Sequence, residues 1–283
     1  MSIQFSPVIA AKQRPLAGFS SLLYIDLDAL GVPASPVAVL DDFRVGGMPF
    51  SPHPHAGFAA VTYVFEDSAG DLRSRASSGV DLTVGPGGIV WTQAGSGVVH
   101  EETPAVRGRE LHGIQIFVNL SAKNKLIAPR VLHLEPGQVP EWRSSAGDRV
   151  RVVVGSFDGL SSPLIPVEPF TLLDLHLREQ ISVELPATHN AIVYALTGHF
   201  AVGADGHQEK VDGGHALALR GGGGLVTFEA VPPSHFLIVS GAEIHEPVVA
   251  EGSFIMNEPS QIDAAVARYR AGEMGHLAPL PDS

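Results

Sequence analysis

Residues 52–67 of the chain read PHPHAGFAAVTYVFED, a His-Pro-His unit followed by a run of β-branched and aromatic residues. The part from Ala59 to Glu66 is typical of a buried strand, and the turn-forming segment DSAGD follows it. Similar strands between Gly- or Pro-rich turns recur along most of the sequence, for example at 111–120, 149–155, 191–196 and 235–240. Short, evenly spaced strands of this kind predict an all-β protein built from jelly-roll barrels.

A weak internal repeat divides the sequence into two halves. Hand alignment pairs residues 62–67 with 193–198, and residues 87–99 with 213–225. Each half then contains a strand, a turn and a Gly-rich approach to a second strand, which indicates two barrels that arose by duplication.

Two further segments define the predicted boundaries. Residues 133–147, HLEPGQVPEWRSSAG, are rich in Pro, Gly and polar residues, and we predict a linker here. The predicted domains are therefore residues 1–132 and 148–283. Within the second domain, residues 260–271 repeat apolar side chains at spacings of three and four, which predicts a short C-terminal helix with Ser260 as its N-cap.

The composition excludes several classes of function. The 283 residues carry a net charge of −12, and no segment concentrates Lys and Arg among aromatic residues, so we expect no direct contact with nucleic acid. Because there is no cysteine, disulfides, thiolate ligands and a cysteine nucleophile are excluded. No stretch reaches the roughly 20 apolar residues that span a bilayer, and the first residues do not resemble a signal peptide. We therefore expect a soluble cytoplasmic protein without membrane contact.

Two pairs of polar residues have the spacing of ligands on adjacent strands. Residues i and i+2 of an extended chain point to the same face, so His53 and His55 can converge on one point. The same period pairs His100 with Glu102 and turns Glu101 away. Three imidazoles and one carboxylate suit a divalent transition metal and leave coordination positions open.

The alternative is an exposed His-Pro-His loop and a charged strand end at HEE. Against it, Pro54 favours an edge strand or the start of a strand, and the unit lies between a turn-like segment and a hydrophobic strand, where a barrel opens. From the residues alone, both interpretations stay open.

The order of these motifs resembles the pirin family along nearly the whole chain. The resemblance is carried by PHPHAGF (52–58), GPGGIVWTQAGSGVVHEE (85–102), LHGIQIFVNL (111–120) and SGAEIHEPVVAEGSFIMN (240–257). It implies two tandem cupin barrels, with a single mononuclear iron in the first barrel bound by the His-x-His and His-x-Glu pairs. Matched position by position, these metal ligands are His53, His55, His100 and Glu102.

The resemblance also implies an activity. Several pirins open the ring of the flavonol quercetin with O₂ and release carbon monoxide. The expected function is therefore that of a quercetin 2,3-dioxygenase, an oxidoreductase that uses Fe²⁺, a flavonol-like substrate and O₂. Glu102 would both hold the metal and accept the proton of the substrate hydroxyl. Because other pirins are described as transcriptional co-regulators, the alternative is a non-enzymatic, redox-sensing iron protein that binds a protein partner.

Several residues beside the predicted ligands depart from the family pattern or have an open role. Pirins usually have charged or polar residues where this chain has Ala56, Ala59 and Ala60, so we expect less charge around the metal or at the pocket entrance. Trp91 and Phe117 are candidates for either a pocket wall or ordinary core. For His112, on the next strand, we expect a surface position.

The second half of the chain is predicted to hold no metal. The repeat alignment places unsuited side chains at the four positions that correspond to the ligands, approximately Glu184 and Pro186, then Val226 and Phe228. We therefore predict one metal ion per chain.

Overall fold

The computed structural model describes residues 2–48, 50–231 and 233–280, and 52% of the chain lies in strands. The strands of the first half are β1 (Gln4–Phe5), β2 (Ile9–Ala10), β3 (Lys12–Gln13), β4 (Phe19–Tyr24), β5 (Val37–Val45), β6 (His53–His55), β7 (Phe58–Val64), β8 (Leu72–Ala76), β9 (Val80–Val84), β10 (Ile89–Gln93), β11 (Val98–Pro104), β12 (Leu111–Asn119) and β13 (Arg130–Leu134). The strands of the second half are β14 (Glu141–Arg143), β15 (Arg149–Val154), β16 (Ser156–Phe157), β17 (Leu160–Ser161), β18 (Phe170–Leu177), β19 (Gln180–Leu185), β20 (His189–Thr197), β21 (His199–Ala204), β22 (His207–Asp212), β23 (His215–Arg220), β24 (Gly224–Ala230), β25 (Ser234–Ala242), β26 (Val249–Glu251) and β27 (Phe254–Met256).

The helices are few, as predicted for an all-β chain. The α-helix α1 (Pro259–Arg270) lies near the C-terminus, and short 3₁₀ helices span Leu27–Leu30, Ala122–Asn124 and Pro136–Gln138. Within the residues that the structure describes, none of these helices has the length and apolar character needed to cross a membrane.

The chain forms two compact units whose sequences interleave. We call them the N-unit, with residues Gln13–Leu23, Val39–Gly137 and Ile244–Ser283, and the C-unit, with residues Met1–Lys12, Tyr24–Ala38 and Gln138–Glu243. The boundaries at 132 and 148 stay a prediction for independently folding domains, but α1 groups with the N-unit and not with the second half. The reason is that Ile262 and Ala265 of α1 are buried in one apolar cluster with Ala56 and Val99.

The N-unit consists mainly of two sheets that share a core. The larger sheet has the order β13-β10-β7-β12-β5-β4-β3, and the smaller has the order β6-β11-β8-β9. Leu72 and Val84 of the smaller sheet pack with Val64 and Val90 of the larger one. The two sheets thus bury apolar side chains against each other.

The C-unit repeats this arrangement. Its larger sheet has the order β1-β23-β20-β25-β18-β15-β14, with β2 also paired to β23, and its smaller sheet has the order β19-β24-β21-β22. The series β6-β11-β8-β9 and β10-β7-β12 of the N-unit therefore correspond to β19-β24-β21-β22 and β23-β20-β25. The duplication that the internal repeat indicates is confirmed in the strand order.

Strand register sharpens the alignment of the two halves. His53 pairs with His100 in the N-unit, and Val183 pairs with Val226 in the equivalent strands of the C-unit. The approximate assignment of Glu184 as the counterpart of His53 is therefore wrong by one residue. In a strand, one residue moves a side chain to the other face, and Glu184 is exposed.

Helix α1 begins slightly earlier than predicted. Its first residue is Pro259, a favoured residue at this position because its missing N–H would be unpaired there anyway. The side-chain oxygen of Gln261 accepts hydrogen bonds from the backbone N–H groups of Asn257 (2.9 Å) and Glu258 (3.1 Å). Glu258 is therefore the N-cap, and the prediction of Ser260 as the N-cap is wrong.

Candidate metal centre

Three histidines meet on the inner face of the small sheet of the N-unit. Strand β6 pairs with β11, so that His53 lies opposite His100 and His55 lies two residues further on the same face. The three ring centroids are 4.6 to 4.8 Å apart, and the ring planes are inclined by 60 to 87°. One ring nitrogen of each residue lies within 4.8 Å of the other two. Rings inclined in this way can direct their lone pairs to a common point, which is the arrangement a metal ion needs.

The remaining ring nitrogens show how the rings are held. His53 Nδ1 lies 2.9 Å from the carbonyl oxygen of Ser51, and His55 Nδ1 lies 3.3 Å from that of Ser253. Since a carbonyl only accepts, both Nδ1 atoms donate, and Nε2 of each ring is left to bind a metal. His100 Nδ1 is buried without a hydrogen-bond partner among the described residues. A buried polar atom without a partner costs about 1–3 kcal/mol, and a bound ion would give this ring a partner.

Burial also sets the charge of the cluster. It lowers the pKa of His55 to about 3, with the nearby His53 as a second cause, and lowers the pKa of His100 well below its ordinary value. Both rings are therefore neutral at pH 7. Neutral imidazole is the form that binds metal ions, so the fold prepares these ligands without proton release.

Glu102 lies in the wall of the same cavity, on the face that its parity predicts. Its Oε2 is 2.5 Å from Thr62 Oγ1 and its Oε1 is 3.3 Å from Ser74 Oγ. Burial raises the pKa of Glu102 to about 7 in the metal-free protein. The group of donor atoms within 4.8 Å of one another contains the three histidines but not Glu102, so its role as fourth ligand stays a prediction. Glu101 is directed elsewhere and forms an ion pair with Arg75 at 2.7 Å.

The histidines line a cavity of about 480 Å³ with predominantly apolar walls. The apolar lining residues are Leu16, Phe19, Leu22, Val39, Phe43, Val45, Phe50, Leu72, Leu111 and Phe117. A volume of this size is in the range that accommodates a small organic molecule. Its few polar groups therefore lie against an apolar wall that can seat a flat ring.

Sequence reasoning missed Thr62, which donates a hydrogen bond to Glu102, and also Asp41 and Gln115, which line the cavity. Asp41 lines it, and burial raises the pKa of its carboxyl to about 6 although Arg14 lies 3.9 Å away. Its signal was available, since Asp41 shares the face of alternate apolar residues along β5. Gln115 and Thr62 lie opposite each other in β12 and β7, with Gln115 Oε1 3.1 Å from Thr62 Oγ1. Nothing in the sequence linked these two residues to Glu102 before the strand pairing was known.

A buried lysine fixes the backbone that follows His55. Lys125 is fully buried, and its ammonium group donates hydrogen bonds to the carbonyl oxygens of Gly57 and Ile255, both at 2.9 Å, and to Asn119 Oδ1 at 2.5 Å. Gly57 has φ +84°, and a Cβ atom there would lie 2.0 Å from the oxygen of Ile255. The segment after the His-Pro-His unit is thus clamped by one ammonium group at a position open only to glycine.

The structure decides the residues whose role was open. Phe117 lines the cavity, whereas Trp91 is 2% exposed and belongs to the core. The surface position expected for His112 is wrong, because its ring is buried between Asp67 (2.5 Å) and Asp42 (3.2 Å), which hold it by hydrogen bonds.

The three alanines are packed into the core and do not form an entrance. Ala56, Ala59 and Ala60 are at most 1% exposed, and none lines the cavity. The expectation of a less charged pocket entrance at these positions is therefore wrong. Ala56 packs in the apolar cluster that also contains Phe254 and Met256, so this position is occupied by core contacts.

A second cluster of possible ligands lies in the C-unit, but it has a different geometry. Asp174, His176 and His235 bring ligand atoms within 4.8 Å of one another. The two rings stack at 3.9 Å with planes inclined by only 17°, so their lone pairs run nearly parallel and do not converge. His235 Nε2 donates to Asp174 Oδ1 at 2.6 Å, and Arg149 and Arg178 line the adjacent cavity, where their charge disfavours a cation. We interpret this cluster as a hydrogen-bonded stack.

Comparison with known proteins shows the family of this chain. A family model described as Pirin matches residues 10–118, and one described as Pirin C-terminal cupin domain matches residues 171–275. Pirin of Rattus norvegicus is 32% identical over 281 residues, which cover 97% of this chain and 91% of that protein. The chain belongs to the pirin family. The resemblance and the tandem cupin fold predicted from the sequence are thereby confirmed.

Other pirin relatives carry more specific names. A protein of Vibrio cholerae named "Putative quercetin 2,3-dioxygenase" is 32% identical, over 84% of this chain and 86% of its own. The crystal structure of quercetin 2,3-dioxygenase from Acinetobacter baumannii has a TM-score of 0.85 at 23% identity and covers 98% of this chain and 100% of its own. That of the Escherichia coli pirin YhhW in complex with nickel(II) has a TM-score of 0.65 at 18% identity, with 86% and 100% covered. These two structures show that the pirin fold is shared.

Proposed function

We propose that this pirin is a metal-dependent oxidoreductase of the quercetin 2,3-dioxygenase type, with a flavonol-like substrate and O₂ as reactants. The observation that carries the proposal is the convergence of His53, His55 and His100 in a cavity with apolar, aromatic walls. The name of the Vibrio cholerae relative supports the reaction, and the nickel complex of the Escherichia coli pirin supports the binding of a metal ion. Glu102 is the proposed fourth ligand and Fe²⁺ the proposed native metal.

The donor set fits such an ion, since two of its three imidazoles are held neutral and the proposed fourth ligand is a carboxylate oxygen. A bound Fe²⁺ would supply the redox chemistry that lets a flavonol react with O₂. The protein would supply the proton acceptor. We propose Glu102, the carboxylate of the proposed ligand set, as the group that takes the proton of the substrate hydroxyl.

The surroundings of Glu102 can accommodate the transferred proton. The Thr62 hydroxyl has one proton, which it donates to an ionised Glu102 at 2.5 Å. When Glu102 is protonated, the carboxylic acid can donate to Thr62 Oγ1, and Thr62 can then donate to Gln115 Oε1 at 3.1 Å. Both protonation states of Glu102 are therefore hydrogen-bonded without movement of the backbone.

The apolar wall is suited to orient a flat substrate. The ring of Phe117 lies 5.5 Å from that of His55 and 4.6 Å from that of Phe58, so an aromatic surface adjoins the cluster. Phe19 and Phe43 line the cavity as an edge-to-face pair 6.3 Å apart. These side chains exclude water and offer stacking contacts to an aromatic ring.

The test is oxygen consumption by anaerobically purified ferrous protein, with and without quercetin, together with detection of carbon monoxide. We expect flavonol-dependent uptake and carbon monoxide release by the wild type, and neither by His100→Ala. Metal-replete wild-type protein that consumes no oxygen with quercetin would overturn the proposed activity and favour a non-enzymatic, partner-binding role.

A further inference from the structure

The C-unit keeps a cavity at the place where the N-unit has its proposed metal site. Its volume is about 780 Å³, larger than the 480 Å³ of the histidine cavity. The side chains that correspond to the proposed ligands form part of its lining and are all apolar: Val183, Leu185, Val226 and Phe228. In a barrel without a metal site, larger side chains could fill the space that the metal and its substrate would occupy. The barrel of the C-unit instead keeps an open cavity at this place.

One position explains part of the additional space. Gln115 pairs with Thr62 in the N-unit, and Ile238 pairs with Val193, the residue aligned with Thr62, in the C-unit. Two residues further along the same strands, Phe117 of the N-unit therefore corresponds to Ser240 of the C-unit. A hydroxymethyl group replaces a phenyl ring, and both side chains line their cavities.

The charge of the lining disfavours anions. Its charged side chains are the carboxylates Asp158 and Glu184, both exposed at the rim, and no Lys, Arg or His is among the described lining residues. Behind the wall, His189 Nδ1 lies 3.5 Å from Ser240 Oγ, and burial lowers the pKa of this histidine. No positive charge therefore faces the cavity at neutral pH, and an anionic ligand would be repelled.

The other lining groups suit rings and hydroxyl groups. Trp142 and Phe157 form an edge-to-face pair, with centroids 5.4 Å apart and planes at 85°, beside the apolar floor. The polar lining residues are Ser156, Ser161, Thr171, Gln180, Ser182 and Ser240. Aromatic wall, apolar floor and hydroxyl-bearing rim together match a molecule with an aromatic ring at one end and hydroxyl groups at the other.

We propose that this cavity of the C-unit binds a neutral, hydroxylated aromatic molecule, such as an aromatic glycoside, without a metal ion. The ring lies on the floor formed by Val226 and Phe228 and contacts Trp142. The hydroxyl groups of the ligand donate to the rim carboxylates Asp158 and Glu184 and exchange hydrogen bonds with the serine hydroxyls.

The test is isothermal titration calorimetry of the full-length, metal-loaded protein with phenyl β-d-glucopyranoside. This probe is neutral and has no metal-chelating group. We expect one binding site per chain and a change in tryptophan fluorescence, since Trp142 lines the cavity and Trp91 is buried elsewhere. Phenyl phosphate should bind at least about tenfold more weakly because of the two carboxylates. No binding of the glucoside, or equally tight binding of phenyl phosphate, would overturn the proposal.

Two variants locate the site. Ser240→Phe introduces the residue that the N-unit has at this position and should weaken glucoside binding at least about tenfold by filling the cavity. Trp142→Ala removes the aromatic wall and should weaken binding in the same direction, which covers the case that Ser240→Phe does not fold. Ser145→Phe, at an exposed position outside the lining, should bind as the wild type does.

Flavonol-dependent oxygen uptake should be unchanged in Ser240→Phe, so that failure of this site and failure of the proposed oxidoreductase are separate results. Wild-type affinity for the glucoside in both folded cavity variants would place the binding elsewhere and contradict the assignment.

Discussion

The two units share a strand order but differ on the inner face of the small sheet. Where the N-unit has His53, His55, His100 and Glu102, the C-unit has Val183, Leu185, Val226 and Phe228. In the C-unit, Phe228 stacks with Phe236 at 5.2 Å within the main apolar cluster. The fold therefore accommodates apolar side chains at these positions. The buried polar cluster of the N-unit therefore lowers the stability of the fold where a polar group has no partner. We interpret the cluster as kept for its function and not for stability.

Metal content should show the largest difference between the units. We expect one divalent ion per wild-type chain and much less in His100→Ala, because this change removes one of the three converging imidazoles and leaves only His53, His55 and the proposed ligand Glu102. His235→Ala should keep one ion, since the stacked rings of the C-unit do not converge. Elemental analysis after anaerobic purification measures both. Two ions per wild-type chain, or loss of the ion in His235→Ala, would break the distinction between the units.

The next largest effect should follow from Glu102→Gln. This change keeps the shape of the side chain but removes its basicity, so flavonol turnover should fall by about 10²- to 10⁴-fold in protein loaded with metal. Glu101→Gln is the matched control, because Glu101 pairs with Arg75 outside the cavity, and its turnover should be close to that of the wild type. Full turnover of metal-loaded Glu102→Gln would show that another group, with Asp41 the first to examine, accepts the proton.

Lys125→Met tests how the metal unit is held together. The change removes the ammonium donor from the carbonyl oxygens of Gly57 and Ile255 and from Asn119 Oδ1, which keeps only the N–H of Leu120, and should lower the free energy of unfolding by about 3 kcal/mol. Metal affinity should fall as well, because Gly57 follows His55 closely in the chain. Urea denaturation and metal titration measure these effects. Lys123→Met, at an exposed position two residues away, should change neither, and equal losses in both variants would contradict the clamp.

The smallest predicted effect is a pH dependence specific to the N-unit. Because burial raises the pKa of Glu102 from 4.5 to about 7, the folded metal-free protein binds more protons than the unfolded chain in this range. The contribution of Glu102 to the free energy of unfolding therefore decreases as the pH rises from 4.5 to 7, by at most about 3 kcal/mol. Above pH 7 it does not decrease further. His55 and His100 act in the opposite direction at acidic pH, since burial lowers their pKa values.

Comparing the wild type with Glu102→Gln cancels the contribution of His55 and His100, because both proteins contain these histidines. The stability of metal-free Glu102→Gln relative to the wild type should rise between pH 4.5 and 7 and stay constant above. A difference that does not vary with pH would mean that Glu102 is ionised throughout and has a different environment from the one described.

Local periodicity was sufficient to predict the core of the site. The parity of His53 and His55 on one strand, and of His100 on the next, implies a shared face whatever the details of the fold. The internal repeat likewise led to Val226 and Phe228 as apolar counterparts. It missed Val183 by one residue, because few identities fix the register near β19 and only the hydrogen-bonded pairing does so.

Contacts between segments distant in sequence could not be predicted. The spacing of apolar residues in α1 shows that one face is buried but not which unit buries it, and residues 244–283 return to the N-unit. Lys125 contacts Ile255, 130 residues away, and a lysine in a polar turn gives no local sign of burial. The alternation along β5 was sufficient to predict that Asp41 faces the core. The raised pKa of its carboxyl could not be predicted, because it depends on the residues that bury Asp41 in the folded protein.

Pro54, which separates the two histidines of β6, has a further consequence for the solubility of the metal-free protein. Strand β6 is at the end of its sheet in the described structure, with β11 on one side. Val99 lies opposite Pro54, but its backbone N–H donates to Ser77 Oγ and its carbonyl oxygen accepts from the N–H of Ser77. Pro54 and Val99 are therefore a pair without mutual hydrogen bonds, and the nitrogen of Pro54 faces away from β11. That nitrogen has no proton to donate, so the outer edge cannot complete an antiparallel ladder with another chain. We therefore expect the residue that spaces the ligands to hinder edge-to-edge aggregation of this strand as well.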